Sequence, residues 1–138
     1  MKNRLFIDTN IWLYVFLGDD RKKYKRATEY LEKNNIDSEL IITYQVINEV
    51  TNILLKNNFT ELKIKEYIDY LFKISTVQDF SREILVIASS VREQYSISFW
   101  DSILVGSALF AKCDTLVSED MQDGLIVEET LTIVNPFK

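Results

Sequence analysis

The sequence contains no histidine, which removes every mechanism that depends on an imidazole, from serine triads to histidine acid–base pairs. With only one cysteine, Cys113, it also lacks the ligands of an ordinary zinc site and cannot close an internal disulfide. The lone thiol fits a reducing compartment. Glycine is scarce. Gly18, Gly106 and Gly124 are too few and too scattered for a phosphate-cradling loop or a dinucleotide fingerprint. The single proline, Pro136, lies near the end, and no linker, repeat or low-complexity tract divides the chain, so one domain over residues 1–138 is expected. The longest apolar stretch, Ile11 to Leu17, is far shorter than a membrane span. Met1 to Asp8 turns acidic where a secretory signal would continue its apolar region, so a cytoplasmic location without a membrane partner is expected.

Catalysis must therefore come from carboxylates, hydroxyls, lysines or a metal held by oxygen. Hydrophobic residues at 47% and charged residues at 27% give the balance of a globular protein. Sixteen Lys and Arg against 21 Asp and Glu leave a net charge of −5, which argues mildly against broad nucleic-acid affinity. The charge is segregated, however. A basic run, Arg21, Lys22, Lys23, Lys25 and Arg26, stands early in the chain, and the region from Phe99 onward is acidic.

Arg4 to Asp8 reads as a buried strand ending in a carboxylate. Asn10 is expected to cap a helix over Ile11–Leu17, and a second helix over about Arg21–Asn34 places Tyr24, Ala27 and Leu31 on one face. Leu40–Ile42 is a second strand, and Thr43 caps a helix over Tyr44–Asn57 with Val46, Val50, Ile53 and Leu54 in register. Thr60 starts a further helix. Its stripe of Ile64, Tyr67, Ile68 and Leu71 is expected in the core or a dimer interface. Ile74–Phe80 reads as an edge or connecting strand, and Ser81 caps the next helix. Ser98 and Asp101 have capping-box spacing before the helix carrying Leu104 and Ala108. Thr115–Val117 and Thr132–Val134 are the last strands. Short apolar strands alternating with amphipathic helices predict a three-layer α/β/α fold around a short-stranded, mostly parallel sheet. Ligands of such sheets gather at the carboxyl ends of the strands, so the acids there matter most.

Asp8 stands where the first strand stops; a turn or capping role competes with a functional one. Glu49, three residues after Val46 and four before Ile53, is expected to lean toward the apolar side of its helix, where it needs a cation or donors to stay ionised. Asp101 serves as the capping-box acid and can also face a ligand. In Ser118–Gly124, the acids Glu119, Asp120 and Asp123 follow a buried strand. Crowded carboxylates raise one another's pKa unless a cation neutralises them, and a hard ion with oxygen ligands, Mg2+ or Mn2+, suits them. Such an ion lowers the pKa of bound water and stabilises phosphoryl charge, so phosphodiester hydrolysis fits best.

At these residues the chain resembles the PIN-domain nucleases, in particular the small toxins of VapC type. The resemblance rests on Phe6-Ile7-Asp8-Thr9-Asn10, Gln45-Val46-Ile47-Asn48-Glu49, Ser98-Phe99-Trp100-Asp101-Ser102 and Leu116-Val117-Ser118-Glu119-Asp120-Met121-Gln122-Asp123-Gly124. The segments occur in the family's order and span nearly the whole chain. The resemblance implies a PIN fold, RNA cleavage dependent on Mg2+ or Mn2+, and often a homodimer neutralised by an antitoxin protein. It assigns Asp8, Glu49, Asp101 and Asp120 to the acidic quartet, Asp123 to a possible fifth metal ligand, and Asn10 and Ser118 to supporting polar positions. The basic run, Arg21 to Arg26, is the candidate RNA-backbone contact, against the competing reading of a solvated helix face. The rival function is a non-catalytic module of the same fold that binds RNA or protein.

Overall fold

The computed structural model describes residues 2–138. Strand β1 (Asn3–Ile7) is followed by α1 (Thr9–Leu17), α2 (Arg21–Asp37) and β2 (Ser38–Thr43). Then come α3 (Tyr44–Lys56), α4 (Glu61–Ile74), β3 (Thr76–Gln78), α5 (Arg82–Gln94) and α6 (Phe99–Phe110). Strands β4 (Thr115–Val117), β5 (Ile126–Val127) and β6 (Leu131–Val134) complete the fold.

The strands form one sheet in the order β3-β2-β1-β4-β6-β5. All neighbours pair in parallel except β5 with β6. The chain moves outward from β1 to β3 and then returns past β1 to β4. Right-handed crossovers consequently place α1–α4 on one face and α5–α6 on the other. The packing agrees: α1 contacts α2 and α3, α3 contacts α4, and α5 lies along α6, which meets β4. Coverage on both faces explains why Leu5-Phe6-Ile7 and Leu40-Ile41-Ile42 are buried without alternation.

The expected three-layer architecture is the observed one. Thr43, Thr60, Ser81 and Ser98 cap α3, α4, α5 and α6, each accepting a backbone N–H three residues on. One cap differs from expectation: Asp8, not Asn10, caps α1, because the helix begins at Thr9 rather than Ile11 and the Asp8 carboxylate accepts from Thr9 N at 2.7 Å. Helix α2 runs on to Asp37, and β2 begins directly at Ser38. The Ile74–Phe80 strand shrinks to Thr76–Gln78, with Ile74 completing α4. The stripe on α4 is core: Ile64 and Leu71 are buried, and Tyr67 stacks on Phe16 with centroids 4.3 Å apart. Tyr24 does not turn inward with Ala27 and Leu31 but is exposed. Strand β5, two residues long, lies below the length at which hydrophobic alternation can be read.

Candidate metal centre

The chain reverses direction across the sheet between β1 and β4: β1 leads to one side, to β2, and β4 leads to the other, to β6. A crevice opens at such a point beyond the carboxyl ends of the strands. Asp8 follows β1 and Ser118 follows β4, so the sheet itself brings these two residues together. The Asp8 N–H donates to Val117 O at 3.0 Å, extending the ladder by one bond. The Ser118 hydroxyl, fully buried, donates to Asp8 Oδ2 at 2.7 Å.

Around this pair lies a cleft of about 410 Å3 lined by Asp8, Glu49, Asp101 and Asp120, with Asn10 and Trp100 among its other walls. Helix α1 contributes Asn10, whose Nδ2 donates to Asp120 Oδ2 at 2.9 Å and more weakly to Asp8 Oδ2 at 3.4 Å. Helix α3 contributes Glu49, which accepts from Gln45 Nε2 at 2.9 Å and Thr9 Oγ1 at 3.3 Å. The first turn of α6 contributes Asp101; its N–H donates to Ser98 Oγ at 3.2 Å while its carboxylate faces the cleft. Asp120 N donates to Ser118 Oγ at 3.2 Å, so one hydroxyl joins two acids.

Asp8 shows the electrostatic strain of this grouping. Burial pushes its carboxyl up to about 6, and the charges of Asp120 and Glu49 push the same way. The hydrogen bonds from Ser118 and Thr9 oppose the rise without cancelling it. Among the described residues, no lysine or arginine lines the cleft. An all-oxygen donor set with excess negative charge suits a hard divalent cation and has nothing to offer a thiophilic one. Among the described residues no three acids stand close enough to share one ion by direct ligation. Mg2+ keeps several of its waters in protein sites, so part of its contact with these acids would run through water.

Other expected site residues lie elsewhere. Asp123 is not among the residues lining the cleft; its Oδ1 accepts from Asn135 N at 2.8 Å and ties the loop to the end of β6. Glu49 is exposed rather than inclined to the apolar side, because Val46, Ile47, Val50 and Leu54 take the buried face of α3 and leave it on the flank. The basic run is divided. Lys23 Nζ donates to Glu119 Oε2 at 2.7 Å and to Tyr14 Oη at 3.1 Å, while Tyr14 Oη donates to Glu119 Oε1 at 2.7 Å. Glu119 and Tyr14 raise the Lys23 pKa, so this lysine is committed as a cation within the protein. Arg26 Nε donates to Pro136 O at 2.7 Å. Arg21, Lys22 and Lys25 instead border a shallow surface basin with Gly18 and Tyr24.

Sequence reasoning missed the Lys23–Tyr14–Glu119 clamp, which holds the residue next to Asp120. Its only sequence signal was an acid beside another acid, and the partners lie 96 and 105 residues away.

The profile of the PIN domain family matches residues 5–122. The chain belongs to the PIN domain family. Its fold is shared by a toxin–antitoxin complex from Klebsiella pneumoniae, with a TM-score of 0.72 at 18% identity over 96% of this chain and 97% of that one. VapBC2 from Rickettsia felis, bound to a DNA fragment from its promoter, aligns with a TM-score of 0.70 at 17% identity over 96% of this PIN domain and 99% of its counterpart. VapC20 from Mycobacterium tuberculosis, a sarcin–ricin loop cleaving toxin, aligns with a TM-score of 0.65 at 13% identity over 81% and 86% of the two chains. No curated protein matches the sequence. Among the described residues of this PIN domain, no helix is long and apolar enough to cross a membrane.

Proposed function

We propose that this PIN domain is a Mg2+- or Mn2+-dependent endoribonuclease, the toxin of a toxin–antitoxin pair. The observation that carries the reading is the grouping of Asp8, Glu49, Asp101 and Asp120 on one cleft lined by no basic residue. A divalent ion held there would supply a water of lowered pKa and charge stabilisation at a phosphoryl oxygen. The chain's own residues do the placing. Ser118 and Asn10 fix Asp8 and Asp120 in one orientation, and Thr9 and Gln45 hold Glu49. Buried Asp8, ionised beside a cation, would be a fixed anion at the base of the cleft. Hydrolysis adds water across the P–O3′ bond and leaves a 5′-phosphate and a 3′-hydroxyl. Asp123, fixed on Asn135 N, supports the loop rather than the ion.

The antitoxin partner is supported by the folds aligned above, which include toxin–antitoxin complexes. A homodimer is supported by apolar side chains left in solvent on α3 and α4, where exposed Tyr44 and Phe72 face each other at 6.1 Å. Arg21, Lys22 and Lys25 are the residues left for RNA phosphates on α2.

The deciding experiment incubates the purified protein with end-labelled RNA pools in Mg2+, Mn2+ or chelator. Cleavage that needs the ion, leaves 5′-phosphates and disappears in Asp8→Asn and Asp101→Asn is the expected result. Ion-independent RNA binding with no cleavage would instead make this chain a binding module of the PIN fold.

A further inference from the structure

Trp100 is the second residue of α6, and its side chain lines the acidic cleft beside Asp101. It is nevertheless 65% exposed. An indole carries a large apolar surface, and one left in water at the mouth of a site has most of that surface without a protein partner. The ring is not loose. Phe99 meets it edge-on, with centroids 5.0 Å apart and planes at 85°. The Arg92 guanidinium lies over Phe99 at 5.2 Å, and its Nη1 donates to Ser102 Oγ at 2.7 Å. That hydroxyl donates in turn to the Phe99 carbonyl at 2.5 Å. Phe99 is braced at both ring and backbone, and Trp100 rests against it.

Charge limits what can occupy this surface. Phosphate–cation pairs supply most of the affinity of proteins for nucleic acid, and no lysine or arginine lines this cleft. A nucleotide held here finds no lysine or arginine to pair with, so a contact independent of charge adds to what a bound ion supplies. Stacking of a base on an aromatic ring is such a contact, and it tolerates any base because each has a π face.

We propose that Trp100, backed by Phe99, is the stacking platform for an unpaired RNA base next to the scissile phosphate. The inference rests on the ribonuclease reading above and assigns it one base-positioning residue, Trp100. Bases within a duplex have both faces covered by their neighbours, and such a base cannot reach the indole without leaving its stack. Asp101 and Trp100 are consecutive in the chain, so one helical turn offers the carboxylate to the ion that would hold the phosphate and the ring to the base.

The composition makes the test selective. Of the two tryptophans, Trp12 is completely buried and Trp100 is the exposed one, so emission that a ligand can quench reports on Trp100. Hexauridylate, mixed with the protein in Mg2+ and read before cleavage, is expected to quench this emission. An RNA duplex of a dozen base pairs is expected to leave it unchanged. Trp100→Ala should abolish the response and raise KM for single strands roughly 5- to 150-fold with kcat nearly unchanged, while Trp100→Phe recovers much of the affinity. The side chain is exposed, so both variants should fold, and a far-UV spectrum with a thermal melt checks that. No quench by saturating hexauridylate, or a wild-type KM in Trp100→Ala, overturns the proposal. So does a Trp100→Ala chain that cleaves normally but sediments as a smaller species, which would assign the aromatic pair to a protein contact. Quenching without any cleavage keeps the base contact but removes the ribonuclease reading and with it the place beside a scissile phosphate; cleavage without quenching overturns the platform and keeps the ribonuclease reading.

Discussion

The Ser118 hydroxyl donates to Asp8 Oδ2 at 2.7 Å across 110 residues of sequence, and Ser118 Oγ itself accepts the Asp120 N–H at 3.2 Å. A buried serine thus sets the position of two acids at once. Ser118→Ala should drive the Asp8 carboxyl still further above its ordinary range, because it removes the stronger of the two hydrogen bonds that oppose the rise. Outer-shell partners of metal ligands typically matter by about 10- to 100-fold, so Mn2+ affinity should fall by about tenfold or more. Calorimetric titration of Mn2+ measures it, and an unchanged affinity would free Ser118 from that role.

Asp8 ties stability to pH in the ion-free protein. Its folded pKa, about 6, lies above the ordinary value of 3.8. Below both values the group is protonated in folded and unfolded chains alike and costs nothing. Between them the folded protein holds the extra proton, so stability falls as pH rises through that window. At neutral pH the ionised carboxylate costs the fold on the order of 3 kcal/mol. Asp8→Asn should consequently be more stable than wild type in chelator at neutral pH, with the difference shrinking as pH falls and vanishing well below 3.8. Added Mn2+ should raise the melting temperature of wild type and far less that of the variant. Denaturant unfolding across this pH range is the measurement, and parallel curves for the two proteins would contradict it.

Lys23 and its neighbours on α2 should behave differently although they are adjacent in sequence. Lys23→Gln breaks the contacts to Glu119 and Tyr14, so hydrogen exchange should quicken in the loop from Glu119 to Met121. Lys22→Gln with Lys25→Gln should leave that loop protected. The pair should instead flatten the salt dependence of RNA binding by up to ~1.4, at ~0.7 per single-strand phosphate contact. Equal effects of Lys22, Lys23 and Lys25 on the salt slope would show that the Glu119 clamp does not hold in solution.

The α5–α6 layer contains one position where size alone decides. A Cβ on Gly106 would stand 2.9 Å from Ile84 O and 3.1 Å from Ala88 N, both backbone atoms that cannot step aside. Gly106→Ala should destabilise the fold by about 1 to 3 kcal/mol through overpacking, despite alanine's better helix propensity. A lower denaturant midpoint with unchanged slope is the expected signature.

The alternation of apolar strands and amphipathic helices, the capping residues and the absence of histidine were local properties, and each could be read from a few consecutive residues. They were enough to place Asp8, Asp101 and Asp120 at the ends of elements and to restrict the chemistry to oxygen ligands. The same local reading failed wherever a distant partner decided the outcome. Glu49 has the spacing of a half-buried acid, yet Ile47 and Leu54 claim the packed face and leave it in solvent. Lys23 reads as one of five equivalent cations until Glu119, 96 residues later, takes it. Asp123 matches Asp120 in type and loop, but β6 brings Asn135 N to it first. By itself the sequence determined which residues were available and on which elements they stood, because propensity, capping and periodicity act within a turn or two of helix. The tertiary structure alone decided which carboxylates share a cleft and which are spent on the fold, because a charge or hydrogen bond depends on distance through space, and the strand order sets that distance.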